Sequence, residues 1–417
     1  MTDTTRQDTA PTGAGTGEFR TRVELHTPVA GELAAEIERR LLFVSSKITG
    51  YELDTADGEV RGVTLRSATP LPAGELAEKV NRVVDGDVRR QRTTPPKSVW
   101  TSPHERVVEE GTFELLARAG AVTEAGEGQV AVGEPLLSLL AYFDGAVKRI
   151  LAEDFSPTEY RYPTLISTGA LATAGYFASF PQHLMFVTRL HNDIDVYQGF
   201  QKSYAETGVD STVLDACRNV DYCLPPTMCY HTFHQYRGRT LDTDGVHVVT
   251  AKGKSFRFEA AYATTMERLW DFTIREIVFM GPREDVLASR ELFMRKIFGF
   301  VEDLGLSGFC EVGNDPFFGG GDTSARIWSQ RLLELKYELR LTVAPGRTIA
   351  VGSFNFHDDL FGRGFGIDYG TQGAARSACV GFGLERLVYA FLCQYGLDSA
   401  DWPDRVREGA RAYGGAV

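Results

Sequence analysis

Six cysteines, Cys217, Cys223, Cys229, Cys310, Cys379 and Cys393, all fall in the second half of the chain. Six thiols in 417 residues are too sparse for a disulfide framework, so reduced thiols or metal ligands are the expected use. The six-residue steps joining Cys217, Cys223 and Cys229 match no short zinc-knuckle spacing. His231 and His234 follow Cys229 closely and are possible further donors. A second chemistry lies in the arginines. Phe256-Arg257-Phe258-Glu259 is followed, past a short loop over residues 260–267, by Arg268-Leu269-Trp270-Asp271-Phe272-Thr273-Ile274-Arg275-Glu276. Read as two strands, this puts Arg257 and Glu259 on one face, and Arg268 and Phe272 on one face of the return. Guanidinium groups there would bind phosphate, and the ring would stack on a nucleobase. A third string, Ala378-Cys379-Val380-Gly381-Phe382-Gly383-Leu384-Glu385-Arg386, joins a strand to a helix through alternate glycines. The free N–H groups of the helix start and Arg386 suit a phosphate, while Glu385 orients that arginine or caps the helix. Each string alone has a plain structural alternative: an Arg–Glu surface ladder, or a glycine-bearing strand end.

Those residues need elements to hold them. Residues 1–18 carry no large apolar side chain after Met1 and are expected to be a disordered tail. From residue 19 to 92 the pattern is β-α-β-β-α: Val23 and Leu25 alternate, and Leu33, Ile37 and Leu41 recur at helical spacing. Two strand-like runs then flank Asp57-Gly58, and Leu76, Val80 and Val84 mark a second helix. Arg89, Arg90, Arg92 and Lys97 surround Pro95-Pro96 in an expected linker, 93–104. Residues 105–417 read as one large unit. A hairpin is expected over 246–258 and 269–280, a long helix from Val286 to Leu304 stopping at Gly305, and strands over 334–343 and 348–356. Strands arriving in runs favour an α+β fold with an antiparallel sheet flanked by helices. The net charge of −12 argues against a general polyanion-binding surface, and the acidic surplus lies beyond residue 106. No apolar run approaches a membrane span, and no leader pattern is present, so a cytoplasmic protein is expected.

In combination and in this order, FRFE, the R-x-x-x-F-x-x-x-E return and GFGLER resemble motifs 2 and 3 of class II aminoacyl-tRNA synthetases. Arg161-Tyr162-Pro163-Thr164-Leu165 resembles the proline-bearing interface strand of motif 1, and the stretch to Phe180-Pro181-Gln182-His183-Leu184 resembles the segment after it in seryl-type enzymes. Leu224-Pro225-Pro226-Thr227-Met228-Cys229-Tyr230-His231 and residues 353–362 narrow the resemblance to the amino acid:carrier-protein ligases. These are relatives of the zinc-dependent, methanogen-type seryl-tRNA synthetases that load a phosphopantetheine thiol.

The resemblance implies a zinc ion held by two cysteines and the motif 2 glutamate, here Cys229, Glu259 and Cys379, with the fourth position taken by the substrate amino group. It implies ATP binding by Arg257, Arg268, Phe272, Glu385 and Arg386, with the three arginines catalytic, and a pocket for a small amino acid that includes Asn355 and His357. Mg2+ is implied with ATP; the glutamate that binds it in seryl-tRNA synthetases falls at Ile349 here, leaving Glu334 and Glu338 as substitutes. The expected acceptor is a holo carrier protein, because the motif 2 loop is short and no long helical arm precedes the core. A homodimer is implied by motif 1. The alternatives are a seryl-type tRNA ligase that uses the N-terminal module and the Arg89–Lys97 patch, and a non-catalytic paralogue that binds or regulates.

Overall fold

The computed structural model describes residues 18–41, 43–89, 91, 97–259, 265–313 and 333–414. Most of the expected tail, part of the basic linker (Arg90 and Arg92) and residues 260–264 of the motif 2 loop lie outside them. The chain divides into two compact units, Met1–Thr93 with Gly319–Ser324, and Thr94–Phe318 with Ala325–Val417.

The smaller unit is built as its periodicity requires. Strands β1 (Phe19–Ala30), β2 (Ile48–Ala56) and β3 (Glu59–Ser67) form an antiparallel sheet in the order β1-β3-β2. Asp57 and Gly58 both take positive φ in the two-residue turn, the conformation that suits a hairpin and favours Asp-Gly. Helices α1 (Ala34–Leu41) and α2 (Ala73–Val83) bury Ile37, Leu41, Leu76 and Val80 against Val23, Val60, Val63 and Leu65.

The larger unit is organised on an eight-stranded sheet. Its strands are β4 (Ser98–Thr101), β5 (Thr158–Tyr160), β6 (His247–Phe256), β7 (Asp271–Gly281), β8 (Gly308–Val312), β9 (Lys336–Ala344), β10 (Arg347–Asp358) and β11 (Arg376–Gly383). The order is β4-β8-β9-β10-β11-β7-β6-β5, antiparallel except for the short parallel pairing of β5 with β6. The expected hairpin and strand pairs are present. Two expectations are corrected. Ser98–Thr101, inside the expected linker, is an edge strand of this sheet, and residues 161–165, expected as an interface strand, carry no strand; the strand before them is Thr158–Tyr160.

One sheet face packs on helices α3 (Leu136–Asp154), α5 (Arg283–Asp303) and α6 (Leu384–Tyr395), burying Phe143, Phe293, Phe354, Phe382 and Phe391. Gly305 closes α5 at φ +65°, where a glycine avoids the Cβ penalty. The opposite face is covered in part by α4 (Cys229–Tyr236) and by the short helix Leu360–Phe365. Among the described residues, no helix is long and apolar enough to cross a membrane.

Candidate functional site

Because side chains alternate across a strand, the register decides which residues share the face under α4. One row runs straight across the sheet: Glu311, Glu338, Ser353, Gly381, Glu276 and Ala251 are successive partners on β8, β9, β10, β11, β7 and β6. The next row pairs Asn355 with Cys379 and Cys379 with Val278, so Cys379 lies diagonally next to Glu276. On β7, Phe272, Ile274 and Glu276 face this side, whereas Ile277 and Phe279 face the helix-packed core.

Cys229, Glu276 and Cys379 are all buried, and their ligand atoms lie within 4.8 Å of one another. Helix α4 is docked onto the glutamate: Glu276 Oε2 accepts the Met228 N–H at 3.0 Å and the Cys229 N–H at 3.3 Å, and the Thr227 hydroxyl donates to the same oxygen. The two backbone donors are helix-start N–H groups that would otherwise be orphaned. Gly253 lets the helix start approach, since a Cβ there would sit 2.4 Å from Met228 Sδ. Burial pushes the Cys229 thiol up, and a hydrogen bond with Cys229 together with burial holds Cys379 well above the usual thiol range. A divalent cation reverses that push, because thiols coordinate as thiolates. Two thiols and a carboxylate, buried and this close, fit a zinc ion with one coordination position left open.

The glutamate of this group corrects the sequence-based assignment. Glu259 lies beyond the end of β6 and pairs with Arg268 at 3.1 Å, outside the group. A signal for Glu276 was present: it stands four residues from Phe272, hence on the same strand face.

The three arginines gather at the other end of the face. Arg257 donates Nε–H to the Pro226 carbonyl at 3.0 Å, and its guanidinium carbon lies 5.5 Å from the centre of the Phe272 ring. Neither Arg257 nor Arg268 is on a strand: β6 ends at Phe256 and β7 begins at Asp271. Arg386, on the first turn of α6, donates to the carbonyls of Glu267 at 2.6 Å and Ala350 at 3.4 Å. Burial brings its pKa down to about 10, with Glu259 opposing the fall and Arg268 and Arg257 adding to it, so these charges act in one field. All three arginines are cationic at neutral pH. Glu385, at the start of its helix, also reaches the neighbouring strand. Its carboxylate accepts the Thr273 N–H at 2.9 and 2.7 Å, one position past the last β7–β11 rung.

Asn355 and His357 join the thiol end. His357 Nε2 lies 3.5 Å and Asn355 Nδ2 3.9 Å from Cys379 Sγ, and the His357 ring packs edge-on to Phe361. His231 points elsewhere, stacking on Tyr162 at 5.3 Å, and burial lowers its pKa to about 4. His234 meets Arg237. Of the residues considered for magnesium, Ile349 faces the helix-packed core and Glu334 is engaged by Lys97 and the Tyr337 hydroxyl; Glu338 is on the site row, between Lys336 and Arg340. Cys310 and Cys393 are buried in the core, and Cys223 lies in the apolar cluster under α4.

Behind the site, Arg275 faces the opposite way and is almost fully buried. It makes a two-pronged pair with Asp144 on α3 at 2.6 and 3.0 Å and a bond to Glu159 at 2.8 Å. Burial works against ionisation of Asp144, but hydrogen bonds and charge from Arg275 and Lys252 outweigh it and hold the carboxyl below the usual carboxylate range.

No protein-family profile matches the sequence. Among curated proteins, the chain is 32% identical over 282 residues to amino acid:acyl-carrier-protein ligase 2 of Bradyrhizobium diazoefficiens, covering 64% of this chain and 80% of that protein. It is 28% identical over 295 residues to the type-2 serine–tRNA ligase of Methanococcus aeolicus, covering 68% of this chain but only 56% of that protein. The match to the type-2 serine–tRNA ligase of Methanococcus maripaludis C7 is 27% identical and covers 87% of this chain. Among solved structures, M. kandleri SerRS, in complex with A. aeolicus tRNASec, superposes with a TM-score of 0.70 at 19% identity, over 96% of this chain and 79% of that one. The cytoplasmic serine–tRNA ligase of Naegleria fowleri, with AMP, gives 0.59 at 12% identity, over 81% of this chain and 71% of that one.

Proposed function

The chain belongs to the class II synthetase-like family of the amino acid:acyl-carrier-protein ligases and type-2 seryl-tRNA ligases, and on that premise we propose that it activates a small amino acid with MgATP and passes it to a carrier-protein thiol. The observation that carries this reading is the shared sheet face, with a buried Cys229–Glu276–Cys379 group at one end and Arg257, Arg268 and Arg386 at the other. Zinc held by Cys229, Glu276 and Cys379 would supply a Lewis-acid position for the α-amino group of an amino acid.

The chain's own residues do the rest. Asn355 and His357 line the thiol end and set the room left for the side chain. The amino acid carboxylate is already ionised at neutral pH and attacks the α-phosphate without a general base. Arg257 neutralises charge on the α-phosphate, Arg268 and Arg386 hold the β- and γ-phosphates, and the Phe272 ring stacks against adenine. Arg268 exchanges its Glu259 partner for phosphate as ATP arrives. Pyrophosphate leaves, and a phosphopantetheine thiol displaces AMP from the mixed anhydride. Catalysis is positioning and charge neutralisation.

The basic residues of the smaller unit support a carrier acceptor. Arg20 and Arg66 pair with Glu18, Arg22 with Asp54, Arg61 with Asp57 and Arg82 with Glu78. Of the patch once open to tRNA, Arg89 pairs with Asp85 and Lys97 with Glu334. A seryl-tRNA ligase is the second reading. It is favoured by the M. maripaludis alignment, whose share of the chain exceeds the larger unit and so reaches into the smaller one. ATP–pyrophosphate exchange over a panel of amino acids tests the activation step, and absence of exchange with all of them rejects both readings. Competition between a holo carrier protein and tRNA as acceptor separates them. Dimerisation through motif 1 belongs to the proposal and is read by mass photometry.

A further inference from the structure

Strand β6 stops one residue before the arginine that meets the α-phosphate, yet Arg257 needs a fixed backbone. On the hairpin side the segment 257–259 is held by Trp270: the Arg257 N–H donates to the Trp270 carbonyl at 3.0 Å, and the indole N–H donates to the Glu259 carbonyl at 3.1 Å. On the outer side the Phe256 N–H donates to the Pro225 carbonyl at 2.8 Å. Two positions on, His183 takes over. The Phe258 N–H donates to the His183 carbonyl at 3.3 Å, and His183 Nδ1 lies 3.0 Å from the Phe258 carbonyl.

We infer that His183 is a positioning residue for adenylation: its Nδ1–H and its carbonyl clasp both backbone groups of Phe258, and so set Arg257 and Glu259 on either side. The inference rests on the proposed ATP chemistry and adds a residue from outside motif 2. His183 is buried, on the turn Pro181–His183, and the charges of Glu259, Arg257 and Arg268 all reach it. Burial lowers the pKa of the ring and favours its neutral form, and because the Phe258 carbonyl only accepts, the bond to it requires the tautomer with the proton on Nδ1. The clasp replaces a strand rung with a side chain. A rung needs a neighbouring strand, and β5 ends at Tyr160, opposite Ala251.

The test compares His183→Ala with His183→Asn, whose side-chain amide nitrogen replaces Nδ1 as donor. The alanine variant raises the KM for ATP in pyrophosphate exchange by about three- to tenfold, the worth of one hydrogen bond. The KM for the amino acid and the bound zinc stay at wild-type values, and the asparagine variant recovers most of the loss. Amide hydrogen exchange over residues 256–259 quickens in the alanine variant and not in the asparagine one. Unchanged amide exchange there in His183→Ala, or an asparagine variant as impaired as alanine, overturns the clasp. A wild-type protein with no pyrophosphate exchange overturns the ligase reading instead, and the amide-exchange comparison then decides the clasp by itself.

Discussion

The two ends of the site face are held in different ways. At the thiol end, Glu276 and Cys379 are rungs of adjacent central strands, and Cys229 is bound down through its own N–H; the whole group is buried. At the arginine end, Arg257 and Arg268 lie on the loop that joins two strands, Arg386 on the first turn of a helix, and Arg268 is exposed with a carboxylate for company. A sheet ladder cannot shift one residue without turning every side chain to the other face, so a ligand set built on rungs stays fixed. Loop-borne cations can exchange partners as substrate enters and product leaves. The contrast teaches that one end is built to keep a ligand and the other to let one go.

Replacing a rung should produce the largest effect. Glu276→Gln is expected to lower zinc affinity by about a thousandfold, the scale of losing one of three protein ligands, with amino acid activation falling in parallel. Metal content after dialysis against a chelator measures it, and wild-type zinc retention would break the comparison. Arg386→Ala, at the other end, is expected to cut pyrophosphate exchange about a hundredfold while leaving bound zinc intact. Loss of zinc in that variant would mean that the two ends are not independent.

Asp144→Asn addresses the support behind the rung, because the pair with Arg275 ties α3 to the strand that carries Glu276. A loss of about 2 kcal/mol of stability at neutral pH is expected, read by urea denaturation. The pH dependence has a definite sign. Asp144 ionises below the usual carboxylate range in the folded protein, so its contribution is fully present above the unfolded-state pKa of about 4 and disappears as pH falls through the lower folded value. The asparagine variant should therefore show a flatter stability profile on the acid side. The smallest effect is reserved for Glu259→Ala: zinc content unchanged, and exchange reduced by less than about tenfold through loss of one charged hydrogen bond to Arg268. A zinc-free Glu259→Ala protein with a zinc-replete Glu276→Gln protein would reverse the assignment.

That Glu276 and not Glu259 stands beside the two thiols shows where linear reasoning stops. Alternation along a strand is a local property, so Val246–Phe258 and Leu269–Met280 could be paired from pattern alone, and the observed hairpin spans 247–256 and 271–281. Whether a residue lies on the last rung or one step past it depends on strand ends, and these are set by neighbours. Residues Arg257 to Glu259 run off the sheet because Pro225 and His183, distant in sequence, take the place of a strand. The same limit hid the edge strand Ser98–Thr101 and its neighbour Gly308–Val312, elements too short to carry a pattern of their own.

The amino acid sequence by itself determined the α+β class, the hairpin with its arginines and the glycine-to-helix join at Arg386, since these rest on local periodicity, backbone freedom and residue chemistry; Cys229 and Cys379 are singled out among the six cysteines by the resemblance to the ligase family. Only the tertiary structure decided that Glu276 completes the thiol group, that Glu385 serves Thr273, and that His183 clasps Phe258. Each of those pairings joins segments through register and helix docking, and no short stretch of sequence contains that information.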